Sequence, residues 1–175
     1  LRQTIYDILD AHKLELGRLK LNMDMVSTKD LVDTCIQTFK LQAESKGVFL
    51  DGKYDDIMVR CDRRRIIQVL NNLVSNALKF VPEKTGRIQI ACQKQDETAT
   101  FSVKDNGIGI PQEKQKSMFK KFYQVDTSLG RKAGGTGLGL AISKGMVDVH
   151  KGNMWLESSE GNGTVFYFTL PLVRR

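Results

Sequence analysis

The sequence predicts a mixed domain of helices and strands, an α+β arrangement, on three observations. Apolar residues return every three or four positions from Leu31 to Ala43 and again from Ile66 to Phe80, which is the helical period. Residues 98–105 alternate instead: Ala99, Phe101, Val103 and Asp105 share one side, while Thr98, Thr100, Ser102 and Lys104 share the other. Two runs near the end, 153–157 and 164–170, are joined by the turn-rich Glu160-Gly161-Asn162-Gly163 and read as a hairpin. With 175 residues and 41% hydrophobic content, the chain is long enough for one well-filled domain with an appendage and short for two.

The elements follow in order. Ile5, Leu9, Leu16, Leu19 and Met23, with Ile8 and His12 between them, form an apolar stripe on a proline-free helix. Such a stripe calls for burial against a second helix or a second copy of the chain. Ser27-Thr28-Lys29-Asp30 supplies an N-cap for the next helix, which should stop near Gly47. Residues 48–50 and 57–59 are short enough to be strands flanking a turn at Asp51-Gly52. Asp62 then caps a long helix from Arg63 to about Phe80, with Asn72, Asn76 and Lys79 in a polar line beside its apolar face. Mid-helix asparagines cost propensity because their amides compete with the backbone. They mark either a solvated edge or a site.

Residues 87–94 and 98–104 form an antiparallel pair that ends at Asp105 on the buried side. A carboxylate there needs a donor, or it loses its charge. It is also able to bond its own turn. Residues 111–135 lack strong periodicity beyond Met118, Phe119 and Phe122, which points to short helical turns and then a mobile loop over about 125–133. Gly134-Gly135-Thr136-Gly137-Leu138-Gly139 then leads into an apolar helix from Leu138 to about His150. Glycines that allow close backbone approach, ahead of a helix N-terminus, make a phosphate seat. Taken alone, the stretch also reads as a linker, because it lacks the P-loop lysine and no strand leads directly into it.

Composition narrows the class. The formal charge of +7 comes from scattered basic residues against 20 acidic ones, which reads as a solvated surface biased toward a polyphosphate ligand and gives no nucleic-acid signature. Cys35, Cys61 and Cys92 are odd in number and far apart, so they encode neither a disulfide framework nor a zinc site and read as reduced core thiols. No apolar run approaches the ~20 residues that a membrane helix needs. The reading is a cytoplasmic domain, and the start inside a helical pattern suggests a piece of a longer protein, which membrane anchorage of that parent would fit.

Four blocks occur in a fixed order: Asn72-Leu73-Val74-Ser75-Asn76-Ala77-Leu78-Lys79-Phe80, Asp105-Asn106-Gly107-Ile108-Gly109-Ile110, Met118-Phe119-Lys120-Lys121-Phe122-Tyr123 and Gly135-Thr136-Gly137-Leu138-Gly139-Leu140. Together they resemble the N, G1, F and G2 boxes of sensor histidine kinases, from about Asp24 to the end. The resemblance implies a two-layer α/β sandwich, with helices on one face of a mixed, mostly antiparallel sheet, shared with gyrase, heat-shock chaperones and mismatch-repair ATPases. It implies ATP and Mg2+ as ligands. Asn76 would hold the metal, Asn72 would line the same site, and Lys79 would meet the phosphates. Asp105 would accept from the adenine amine beside Gly107 and Gly109, with Thr164 in support. Gly137, Leu138, Gly139 and Leu140 would offer backbone N–H groups to the phosphates, while Phe80, Phe122 and Thr136 fall at nucleotide-contacting positions. A lid would span about 111–136.

The resemblance further implies transfer of the γ-phosphate of ATP to a histidine on a dimerisation hairpin and onward to a response-regulator aspartate, in a homodimeric parent. Residues 1–24 resemble the second helix of that hairpin, and 25–175 the catalytic domain. ATP-hydrolysing relatives carry a glutamate where Asn72 stands; an amide cannot take a proton from water at neutral pH, which favours transfer. Two features depart from the pattern. Gln124 stands where many members have an arginine, leaving Lys121, Arg131 or Lys132 to substitute. No phosphoacceptor block is present, and His12 and His150 lie outside any such motif. Two other readings stay open: an ATP hydrolase that drives conformational change, and a nucleotide-binding adaptor without catalysis.

Overall fold

A computed structural model describes residues 2–124 and 136–173. Helix α1 (Arg2–Glu15) leads into strand β1 (Asp24–Ser27), helix α2 (Thr28–Ser45), and strands β2 (Phe49–Tyr54) and β3 (Met58–Cys61). Helix α3 (Arg63–Phe80), strands β4 (Arg87–Gln95) and β5 (Thr98–Asp105), and the short α4 (Gln112–Gln115) follow. Helix α5 (Gly139–Val149) and the hairpin of β6 (Met154–Ser158) and β7 (Thr164–Pro171) complete the described chain. The main sheet runs β2-β4-β5-β7-β6, with β2 parallel to β4 and every other pair antiparallel. Helices α2, α3 and α5 cover the face that carries Ile90, Phe101, Val103, Phe166 and Phe168, all buried. Phe101 and Phe168 stack there at 4.8 Å. This is the mixed two-layer sandwich that the resemblance implies.

The caps form where the sequence puts them. Ser27 accepts from the Asp30 N–H at 2.9 Å, and Asp62 accepts from the Arg65 N–H at 3.2 Å. Between those helices the expectation fails. Asp51-Gly52 is no turn but lies within β2, paired in parallel register with Gln89 and Ile90. A Cβ at Gly52 would stand 2.8 Å from Val32 Cγ1 and from Ile36 Cδ1, so the glycine is there to let α2 lie close on the strand. Strand β1, antiparallel to β3 in a separate two-stranded sheet, was not foreseen.

The N-terminal stripe also takes another orientation. Ile5, Ile8, Leu9 and Leu16 are exposed, as is His12, whereas Asp7 and Asp10 are buried against the domain. Arg65 Nη1 donates to Asp10 Oδ1 at 3.0 Å and Gln68 Nε2 to Asp10 Oδ2 at 3.0 Å, so the acid is fully satisfied on the inward side. Among the described residues Ile5, Ile8, Leu9 and Leu16 of that stripe stay largely exposed, whereas Leu19 packs partly buried against the core. The second histidine is structural: His150 Nδ1–H donates to the Met146 carbonyl at 2.7 Å, and Nε2 accepts the Asp62 N–H at 3.0 Å. Those two bonds require the neutral ring, and burial lowers its pKa in the same direction.

Cys35, Cys61 and Cys92 are buried free thiols, each pushed up to about 12, chiefly by burial. No helix among the described residues is long and apolar enough to cross a membrane. The expected loop over 125–133, with Arg131 and Lys132, lies outside the described residues, as do Gly134 and Gly135.

Candidate nucleotide site

A narrow cleft opens where the last turn of α3 meets the ends of β5 and β7. Asn76, Asp105 and Thr164 supply its polar groups, and Phe80, Ile110, Met118 and Phe166 supply apolar walls. Apolar walls with a few polar groups at one end suit a flat heteroaromatic ring.

Asp105 is 8% exposed. It reaches this depth because β5 alternates and Asp105 is the last residue on the core side, in register with Ile88 on β4 and Thr164 on β7. Its Oδ1 accepts the Gly107 N–H at 2.8 Å. Burial pushes its pKa up to about 6, and the Gly107 and Thr164 backbone N–H groups restrain the rise. The carboxylate is therefore mostly ionised at neutral pH. The glycines beside it are forced by space. A Cβ at Gly107 would stand 2.7 Å from the Phe80 carbonyl oxygen, and one at Gly109, whose φ is +72°, would stand 2.0 Å from the Ser159 carbonyl oxygen.

Two residues of this wall escaped the sequence reading. Ser158 Oγ accepts the Ile110 N–H at 2.9 Å, donates to the Gly163 carbonyl at 2.8 Å and lies 2.8 Å from Thr164 Oγ1. Gln115 Nε2 donates to the Ile110 and Ser158 carbonyls at 2.9 and 2.8 Å. The one available signal is hairpin register, which sets Ser158 opposite Thr164 across the β6–β7 ladder.

The other end of the site is built by helices. Asn72 donates through Nδ2 to the Gly139 carbonyl at 3.2 Å and to Ser143 Oγ at 3.1 Å. Both amide hydrogens are thus spent holding the start of α5 against α3, a tie that spacing within α3 gives no hint of. Gly137 has a φ of +72°, and a Cβ there would lie 2.7 Å from the Phe122 backbone. The Phe122 ring is 70% exposed and stands outside the cleft lining, while its N–H donates to the Gly137 carbonyl at 2.9 Å. At Gly139 an added Cβ would meet only Asn72, at 3.8 Å. Leu138 is buried, and Leu140 packs partly buried against the core.

Thr136 Oγ1 accepts the Leu138 N–H at 3.1 Å and faces Asp7 Oδ2 of α1 at 3.5 Å. Lys121 pairs with Glu15 on the same helix. Lys79 is half-buried one turn beyond Asn76 and outside the residues that line the cleft.

The donor set bears on a metal. Among the described residues no group of three or more His, Cys, Asp or Glu side chains is placed to hold one. Asn76 brings a neutral amide to the cleft. A site so sparse in protein ligands fits an oxygen-seeking ion such as Mg2+, which takes most of its shell from phosphate and water, and does not fit a transition metal caged by protein.

Sensor histidine kinases and their catalytic domains are among the known proteins this chain is similar to. The sensor histidine kinase WalK of Bacillus subtilis (strain 168) is 39% identical over 170 residues, covering 95% of this chain and 28% of that protein. The chain thus spans little more than a quarter of that relative. The catalytic domain of histidine kinase ThkA is 29% identical with a TM-score of 0.77, covering 88% of this chain and all of that one. ThkA solved in complex with the response regulator protein TrrA is 26% identical with a TM-score of 0.76, covering 98% of this chain and 49% of that one. The family model described as Histidine kinase-, DNA gyrase B-, and HSP90-like ATPase matches residues 61–174, from the end of β3 through the closing hairpin and so across the whole cleft. The chain belongs to that ATPase family, on its sensor histidine kinase branch.

Proposed function

We propose that this chain is the ATP-binding catalytic domain of a sensor histidine kinase, which passes the γ-phosphate of ATP to a histidine on a dimerisation hairpin. Residues 25–175 form the catalytic domain, with a lid over about 111–136, and residues 1–24 belong to the second hairpin helix of a homodimeric, cytoplasmic or membrane-anchored parent. A response-regulator aspartate receives the phosphoryl group next. The observation that carries this reading is Asp105: a buried carboxylate held by the Gly107 and Thr164 backbone N–H groups and lining an apolar cleft, where its remaining acceptor capacity suits the adenine amine.

Asp105 orients the purine, and Phe80, Ile110 and Met118 exclude water around it. Asn76 is the residue that would hold Mg2+, whose charge, once the ion is bound, offsets that of the phosphates. Lys79 and the N-terminal turn of α5 stabilise negative charge on the transferring group. Asn72 positions α5 and has no basic atom to activate water, which favours transfer over hydrolysis. A neutral histidine imidazole on the hairpin is nucleophilic enough to attack without a protein base.

The test mixes this chain with a separate phosphoacceptor hairpin and γ-labelled ATP. Acid-labile label on the hairpin histidine is expected. Free phosphate without labelled hairpin would point to a hydrolase. Binding without either product would favour a non-catalytic adaptor, for which Gln124 and the engagement of Lys121 by Glu15 are the supporting observations.

A further inference from the structure

The hydroxyl protons around Ser158 can be assigned from their partners. Ser158 Oγ has one hydrogen and two lone pairs. The Gly163 carbonyl at 2.8 Å can only accept, so the Ser158 hydrogen goes there. The Ile110 N–H at 2.9 Å can only donate, and it takes one lone pair. The remaining lone pair faces Thr164 Oγ1 at 2.8 Å, so Thr164 is the donor in that contact. The Thr164 hydroxyl has then given away its only hydrogen, outside the cleft it lines. It offers the cleft lone pairs alone, next to the acceptor-only carboxylate of Asp105.

From this we infer that Ser158 is a specificity-determining positioning residue: by taking the Thr164 hydrogen it fixes the polarity of the base-reading wall as acceptor-only. Opposite the exocyclic group such a wall accepts an amine and rejects a carbonyl, because two acceptors would face each other desolvated. Asp105 provides the first part of that discrimination and cannot rotate it away. Thr164 is a rotor and would supply a donor to a carbonyl edge if Ser158 did not hold its hydrogen. Gln115 supports the same arrangement from behind by tying the Ile110 and Ser158 carbonyls together. Ser158 itself does not line the cleft, so it acts through Thr164.

The inference rests on the nucleotide reading above, and the test separates the two. Dissociation constants for ATP and inosine triphosphate, which replaces the amine with a carbonyl and adds a hydrogen at N1, are measured by titration calorimetry for the unaltered chain and for Ser158→Ala; the N1 change is common to both chains and cancels in the comparison of their ratios. The ratio favouring ATP is expected to fall about tenfold in Ser158→Ala and to recover in Ser158→Thr, which restores the acceptor. Ser158→Cys, whose sulfur is a weak acceptor, carries the same expected direction if the alanine variant does not fold. In a Thr164→Val background the Ser158 substitution should leave the ratio unchanged. Equal weakening of both nucleotides in Ser158→Ala, or a ratio shift that persists without the Thr164 hydroxyl, would overturn the inference while leaving the site intact. An Asp105→Asn variant that binds ATP as tightly as the unaltered chain would remove the site and the inference together.

Discussion

The two ends of the cleft are built by different means. At the Asp105 end, strand register does the positioning: β5 and β7 bring Asp105 opposite Thr164, and β6 and β7 bring Ser158 opposite Thr164. The backbone approaches so closely there that Gly107 and Gly109 have no space for a side chain. At the Asn72 end, two helices are held by side-chain hydrogen bonds, and Gly139 has ordinary room around it. Sheet register cannot slip by one residue without turning a whole face inside out, whereas a helix start held by one amide and one hydroxyl can shift by small amounts. On the proposed function, the Asp105 end is the rigid reference for the purine, and the Asn72 end, proposed for the phosphates, is the part that can adjust when nucleotide arrives.

The sharpest way to break that contrast is Asp105→Asn, which keeps the shape but gives up the charge. Titration with ATP should show affinity falling about a hundredfold, close to 3 kcal/mol, since a charged acceptor for the amine is lost in a buried setting. Next in size is the pair Gly109→Ala and Gly139→Ala, compared by chemical denaturation. The first should lose about 3 kcal/mol of stability or fail to fold, given a carbonyl oxygen 2.0 Å from the new Cβ and a φ of +72°. The second should change stability by less than about 0.5 kcal/mol while weakening ATP. Equal losses at both glycines would remove the distinction between the ends.

The pH dependence follows from the raised pKa of Asp105, about 6 in place of the ordinary 3.8. The amine needs the ionised carboxylate, so ATP affinity should fall about tenfold per pH unit below pH 6, measured against Asp105→Asn to cancel titration of the phosphates. The stability contribution has the opposite sign. It is fully present below pH 3.8 and lost as pH rises through about 6, because the protonated form suits the buried site. At the other end of the cleft the informative change is Asn72→Asp, which sets a carboxylate oxygen against the Gly139 carbonyl. A melting-temperature loss equivalent to about 2 kcal/mol, with Asp105-dependent base selectivity intact, would fit a tie that serves only the phosphate end.

Much of the Asp105 end was legible in the primary chain. Alternation along 98–105 already sets Asp105 on the inward side and demands a donor for it, and Asp62 announces α3 by its capping chemistry. The misses share a cause. The stripe of Ile5, Ile8 and Leu9 shows that one side of α1 is apolar, yet periodicity cannot say which side meets the domain. Arg65 and Gln68, far along the sequence, satisfy Asp10 and turn the acidic side inward. Asp51-Gly52 has turn composition, but the demand on Gly52 comes from α2 lying across it. Asn72 reads as a site residue, and only the packing of α5 reveals that its amide hydrogens are committed.

What sequence alone determined is everything local: the caps, the two periods, the glycine-rich turns and the order of the four blocks. Each depends on neighbours within a turn of helix or a step of strand. Tertiary structure alone decided which face of α1 is inward, what Asn72 holds, and which partners surround the Ser158 and Thr164 hydroxyls. Those outcomes depend on donors and acceptors that chain order keeps apart and only packing brings within bonding distance.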